Sequence, residues 1–249
     1  MAYAIWLCTV ASAATGAGGL IVALCPGMSG RTLAFFQGFA AGVMTGISAF
    51  NMLPNSFASL SAEMGTLRAA ACLSGLFICG WAVSVVLARI SVPDGCGREE
   101  NAMKSVCIIT TMVIVMHNLP EGMLTAFSGY SDRSLGADMA FAVALHNIPE
   151  GVAVASSVMC VTSSRIRAVV HSFAAGMAEL AGGAAALLLL HNFITPQLLN
   201  CVLAVISGIM VQVSVCQLIP GGVKLHSKSA VLCGIIAGAA TIFLGILII

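Results

Sequence analysis

Of the chain's 249 residues 59% are hydrophobic and only 8% charged, against about 25% charged in a soluble domain, so most of its surface must face lipid. A formal net charge of +1 gives no basis for nucleic acid as a partner. No polar stretch is long enough for a separate soluble catalytic domain, and residues 1–249 read as a single membrane domain.

About 20 apolar residues cross a hydrocarbon core of roughly 30 Å. Runs of that kind, broken by Pro, Gly and charge, predict eight transmembrane helices near 2–24, 34–60, 67–90, 104–128, 136–161, 166–190, 196–219 and 230–249. The expected fold is therefore all-α and polytopic. The first run lacks a basic leader and a small-residue cleavage site, so it reads as a span rather than a signal peptide. Short connections make neighbouring spans antiparallel. The ten cysteines are scattered singly with no CxxC, which points to helix packing.

Cytoplasmic loops accumulate Lys and Arg. Arg31, then Arg89, Arg98 and Lys104, then Arg165 and Arg167, then Lys224 and Lys228 fall in odd-numbered connections. Only Arg68 and Arg133 fall in even ones. Odd connections are thus expected to be cytoplasmic, with both termini extracytoplasmic.

Two internal repeats organise the chain. His117-Asn118-Leu119-Pro120-Glu121-Gly122 in span four recurs twenty-nine residues later as His146-Asn147-Ile148-Pro149-Glu150-Gly151 in span five. A weaker echo at an offset of 166 pairs Gly42, Met44, Ser48 and Pro54 of span two with Gly208, Met210, Ser214 and Pro220 of span seven, and Asn51 with Gln217. Chain direction reverses within each pair. Both echoes fit a 3+2+3 scheme in which spans one to three and six to eight are inverted copies around spans four and five, as in many secondary transporters.

A carboxylate at mid-bilayer costs about 2.5–3.5 kcal/mol on the insertion scale, so such residues tend to be functional. Six of the nine acids lie in or beside loops, whereas Glu121, Glu150 and Glu179 sit thirteen to seventeen residues into their spans. At 1.5 Å per residue that is near the bilayer centre. His and Glu four apart share a helical face. Two antiparallel copies would gather His117, His146, Glu121, Glu150 and the amides of Asn118 and Asn147, with Glu179 as a third carboxylate. One His–Glu pair alone would read as a structural hydrogen bond; two pairs plus Glu179 read as a cation site. Nitrogen and oxygen donors without thiolate suit Zn2+, Fe2+, Mn2+ or Cd2+ better than Cu+, and the metal is expected as transported substrate rather than as a cofactor.

Pro120 and Pro149 free the carbonyls of Met116 and Leu145 and are expected to kink their helices beside these residues. Asn51, Asn55 and Gln217 read as interhelical hydrogen bonders. His171 lies at a helix end or lines an exit, His191 is interfacial, and His226 is solvated in a basic loop.

The paired His-Asn-x-Pro-Glu-Gly motif, eight spans, outside termini and an acid in span six resemble the ZIP zinc–iron permeases, in particular their bacterial-type branch. The resemblance covers essentially the whole chain. It implies a binuclear metal centre, with His117, Glu121, His146 and Glu150 at one position and Met44 nearby. Asn118, Asn147 and Glu179, with the shared Glu121 and Glu150, would form the second. It also implies import toward the cytosol, frequent homodimers, and an elevator-like movement of spans one, four, five and six. The connection between spans three and four has no His, unlike many eukaryotic members, and Asn51, Asn55 and Gly221 stand where relatives often carry acids. The alternative is an intramembrane metal-dependent hydrolase using a metal-bound water, against which stands the absence of HExxH.

Overall fold

The structure is a computed structural model that describes residues 1–25, 27, 29–90, 99–190, 195–225 and 227–248. In lipid the backbone must satisfy its own hydrogen bonds, and among the described residues it does so in helices, with no strand. Eight rods follow one another: α1 (Ala2–Leu24), α2 (Gly30–Met64), α3 (Thr66–Ile90), α4 (Glu99–Ser131) and α5 (Arg133–Thr162). α6 is Arg165–Ala185, continued by a π-helical turn at Ala186–Leu190. α7 runs from Pro196–Val213 through a π-helical turn at Ser214–Leu218 into Ile219–Lys224, and α8 is Lys228–Ile248. They match the predicted spans one for one. α2, α4, α5 and α7 extend past the predicted ends, because polar residues such as Glu63, Arg133 and Lys224 continue a helix that already has its backbone paired. Seven of the eight are long and apolar enough to cross a membrane among the described residues; for α4 the side chains at 99–110 lie outside the description.

Local chemistry sets the helix starts. The third backbone N–H of each of α2, α5, α6 and α7 donates to the side chain of Ser29, Asp132, Ser164 and Thr195, respectively. The Asp132 contact is short, with Leu135 N–H to Oδ1 at 2.8 Å. Asp132→Ala is expected to cost about 1 kcal/mol, measured as a lower thermal midpoint in detergent.

The offset-166 echo has a backbone counterpart. A π-helical turn spans Ser48–Met52 in α2 and another spans Ser214–Leu218 in α7, each two residues before a proline, Pro54 and Pro220. A proline ring clashes with the carbonyl four residues back; those carbonyls belong to Phe50 and Cys216, in the middle of the widened turns. By contrast, α4 and α5 continue through Pro120 and Pro149 without a break.

The helices pack as two groups of four. α1, α4, α5 and α6 contact one another extensively, while α2 lies along α8 and α3 along α7. Glycine makes each group tight. A Cβ on Gly38 or Gly42 of α2 would collide with carbonyls of α8, and one on Gly80 of α3 with α7. In the first group a Cβ on Gly122 would meet the Glu179 carbonyl and one on Gly151 the Thr15 carbonyl. The seam between groups is made instead of side chains: Met44, Met52 and Met210 from α2 and α7 pack with Leu124 of α4 and Met139 of α5.

Candidate metal centre

The first helix group carries the acids. Asn118 and Glu121 of α4, His146, Asn147 and Glu150 of α5, and Glu179 of α6 are all buried. For His117 the backbone is helical, and its side chain lies outside the described residues.

His146 is held at both ring nitrogens. Nδ1 lies 3.1 Å from the Ala142 carbonyl and Nε2 lies 3.1 Å from Glu121 Oε2. A neutral imidazole has only one N–H. If Nδ1–H donates to the carbonyl, as the outer nitrogen of a metal-bound His usually does, Nε2 turns a lone pair toward a carboxylate oxygen. Two acceptors at that distance need a positive charge between them, either a proton or a metal ion.

The asparagines are oriented by their neighbours. Asn147 Nδ2 donates to the Ala11 carbonyl at 3.0 Å and to Glu179 Oε2 at 2.7 Å. Asn118 Nδ2 donates to the Ala175 carbonyl at 3.3 Å. Flipping either amide would set acceptor against acceptor, so the oxygens are what remain over. Asn118 Oδ1, Asn147 Oδ1 and Glu179 Oε1 are buried without a hydrogen-bond partner among the described residues. Each such group costs about 1–3 kcal/mol if left so, and the charges of Glu121 and Glu150 act on Glu179 as well. A dication would offset all of these costs together. Among the described residues no trio of His, Cys, Asp or Glu side chains comes together in metal-holding geometry; the ligand chemistry on view is of pairs and of amide oxygens.

These contacts come in matched sets. Asn118 to Ala175 corresponds to Asn147 to Ala11, with twenty-nine residues between the asparagines and 164 between the alanines. Cys8 Sγ donates to the Gly122 carbonyl at 3.5 Å, and Ser172 Oγ donates to the Gly151 carbonyl at 2.9 Å, at the same two offsets. A Cβ on Gly18 would strike the Ile148 carbonyl and one on Gly182 the Leu119 carbonyl, again in register. α1 and α6 are therefore inverted copies clasping α4 and α5, a relation the sequence reading expected in outline but did not locate. Its residue-level signal is a run of shared small residues, including Ala11 and Ala175 and Gly18 and Gly182.

Other candidates fall elsewhere. Met44 is fully buried in the apolar seam with Met210 and Met52. Asn51 and Asn55 were expected to bond between helices, but Asn55 Nδ2 donates to Asn51 Oδ1 within α2 at 3.4 Å, since four residues is one turn. Gln217 likewise donates within α7, to Gln212 Oε1 at 3.4 Å. Interhelical bonds that sequence reading missed include one from Ser84 Oγ of α3 to Gln212 Oε1 of α7 at 2.6 Å. His171 is exposed in the second turn of α6, with Nδ1 2.8 Å from the Arg167 carbonyl. His191 and His226 lie outside the described residues.

Comparison with known proteins meets this geometry at the same helices. The ZIP zinc transporter family matches over residues 93–249, which include all the buried acids. The zinc transporter ZupT of Chlorobium luteolum is 34% identical over 99% of this chain and 97% of its own length. ZupT of Escherichia fergusonii is also 34% identical, covering 98% of this chain and 95% of that protein. ZupT of Corynebacterium glutamicum is 33% identical over 100% and 99%. These relatives are named as transporters and not as enzymes, which removes the hydrolase alternative. The chain is a polytopic membrane protein and belongs to the ZIP family of zinc transporters, on its bacterial-type branch.

Proposed function

We propose that this protein carries a divalent transition metal, zinc foremost, across the membrane toward the cytosol through the buried His/Asn/Glu centre. The observation that carries the reading is His146: tied by Nδ1 to a carbonyl, it aims Nε2 at Glu121 Oε2, where a cation resolves the opposition of lone pairs. Full-length relatives named as zinc transporters support the choice of metal. Fe2+, Mn2+ and Cd2+ suit the same donors.

In this reading the site is binuclear. His117, Glu121, His146 and Glu150 hold one ion, with Met44 at its margin; Asn118, Asn147 and Glu179, sharing Glu121 and Glu150, hold the other. Asn118 Oδ1, Asn147 Oδ1 and Glu179 Oε1, buried without a hydrogen-bond partner among the described residues, support the second position. Both termini face outward, following the basic residues of the odd connections. Alternating access proceeds by movement of α1, α4, α5 and α6 against α2, α3, α7 and α8. Supporting this, every glycine whose Cβ would collide with another helix's backbone faces a helix of its own group among the described residues. The seam is lined by Met44, Met52, Met139 and Met210, whose unbranched side chains adapt to a changed partner. The homodimer belongs to the same family-based reading.

The test is uptake of radioactive zinc by sealed vesicles containing the purified protein, with unlabelled Fe2+, Mn2+ and Cd2+ as competitors. Saturable zinc entry above protein-free vesicles is expected. Stoichiometric zinc binding without entry would reject transport and leave only a metal-holding protein.

A further inference from the structure

The inverted relation between α1 and α6 gives Glu179 a counterpart. A Cβ on Gly122 would meet the Glu179 carbonyl, and one on Gly151 the Thr15 carbonyl; the step of 164 from Thr15 to Glu179 equals that from Ala11 to Ala175. Thr15 therefore occupies, on α1, the seat that Glu179 occupies on α6. Both residues are fully buried.

The state of the Thr15 hydroxyl is unusual for a helix. Thr9, Thr45, Thr162 and Thr241 each donate to the carbonyl four residues back, the ordinary way for a helical threonine to satisfy its hydroxyl. Thr15 does not: its Oγ1 has no hydrogen-bond partner among the described residues. The carbonyl it would use, on Ala11, takes Asn147 Nδ2 instead. Thr111 and Thr125 are in the same state, but their repeat counterparts are Ala140 and Val154, so neither stands in a carboxylate's seat. Next to Glu179 sits Asn147; the counterpart of that neighbour is Asn118, whose Oδ1 is also buried without a partner among the described residues.

We propose that Thr15 is a further residue of the metal centre, supplying an uncharged oxygen from α1 opposite Glu179, either to the cation or to a water it retains. The inference rests on the metal-site reading above. It explains why the clasp carries one carboxylate and not two. A fourth acid in the symmetric seat would deepen the well for a dication and slow its release, whereas a hydroxyl coordinates without adding charge.

The experiment measures equilibrium Zn2+ binding by the purified full-length protein, KM and maximal rate of vesicle uptake, and thermal midpoint. The proteins are wild type, Thr15→Val, Thr15→Ser and, as reference, Glu121→Gln. Thr15→Val keeps the shape and removes the oxygen. Its dissociation constant and KM are expected to rise about three- to tenfold, the size of one lost polar contact, with the maximal rate and thermal midpoint retained. Thr15→Ser should stay near wild type. If Thr15→Val matches wild type in both constants while Glu121→Gln loses binding, Thr15 is packing alone and the proposal is overturned with the site intact. Equal weakening in Thr15→Ser, which keeps the oxygen, and in Thr15→Val, which lacks it, assigns the effect to the packing of the seat rather than to its oxygen and also overturns the proposal. Wild-type binding by Glu121→Gln brings down the site reading, and this proposal with it.

Discussion

Glu121→Gln and Glu150→Gln are each expected to reduce zinc uptake about a hundredfold, the scale set by losing roughly 3 kcal/mol of a charge-assisted contact. Glutamine preserves volume, so the close approach of α4, α5 and α6 should survive and the variants should fold. What changes is charge. Glu121 is the carboxylate facing His146 Nε2; an amide there offers either a neutral oxygen or an N–H, and an N–H competes with the cation for the ring lone pair. Glu150 is as deeply buried on the neighbouring helix. Uptake at wild-type rate by both variants would reject the assignment of these carboxylates to the transported ion.

Much of this centre was legible because polar residues in apolar sequence carry high contrast. The duplicate His-Asn-x-Pro-Glu-Gly stood out at once, and Glu179 announced itself by depth alone. Proline was equally readable in α2 and α7, where Pro54 and Pro220 fall just after widened turns at one offset. α4 and α5 continue as helices through Pro120 and Pro149.

Hidden from the sequence were relations made by backbone. The match of α1 to α6 rests on alanines and glycines, which recur by chance in any apolar helix, and on carbonyls that every residue possesses. Only when Asn147 reaches the Ala11 carbonyl and Asn118 the Ala175 carbonyl does the common step appear. Amides were misjudged for a related reason. Asn51, Asn55 and Gln217 carry no mark of which neighbour they face, and an in-helix partner one turn away is always within reach.

Gly122→Ala is expected to abolish uptake, through packing rather than charge. A Cβ at Gly122 would collide with the Glu179 carbonyl, which lies on the backbone of α6 and cannot rotate aside as a side chain would. Relief requires α4 and α6 to separate, and overpacking of this kind costs about 1–3 kcal/mol or more. Glu121 sits one residue before Gly122, and Glu179 owns the obstructing carbonyl. Separation therefore displaces two of the three carboxylates at the centre, where an error near 1 Å already weakens a site. Gly75→Ala is the matched control. Gly75 is exposed on α3 with nothing within 4 Å of its added Cβ, and the substitution should stabilise the helix by about 0.5–1 kcal/mol without altering uptake. Gly122→Ala should lower both the thermal midpoint and zinc binding. If it transports like Gly75→Ala, the tight clasp of α6 on α4 is not what holds the carboxylates in place.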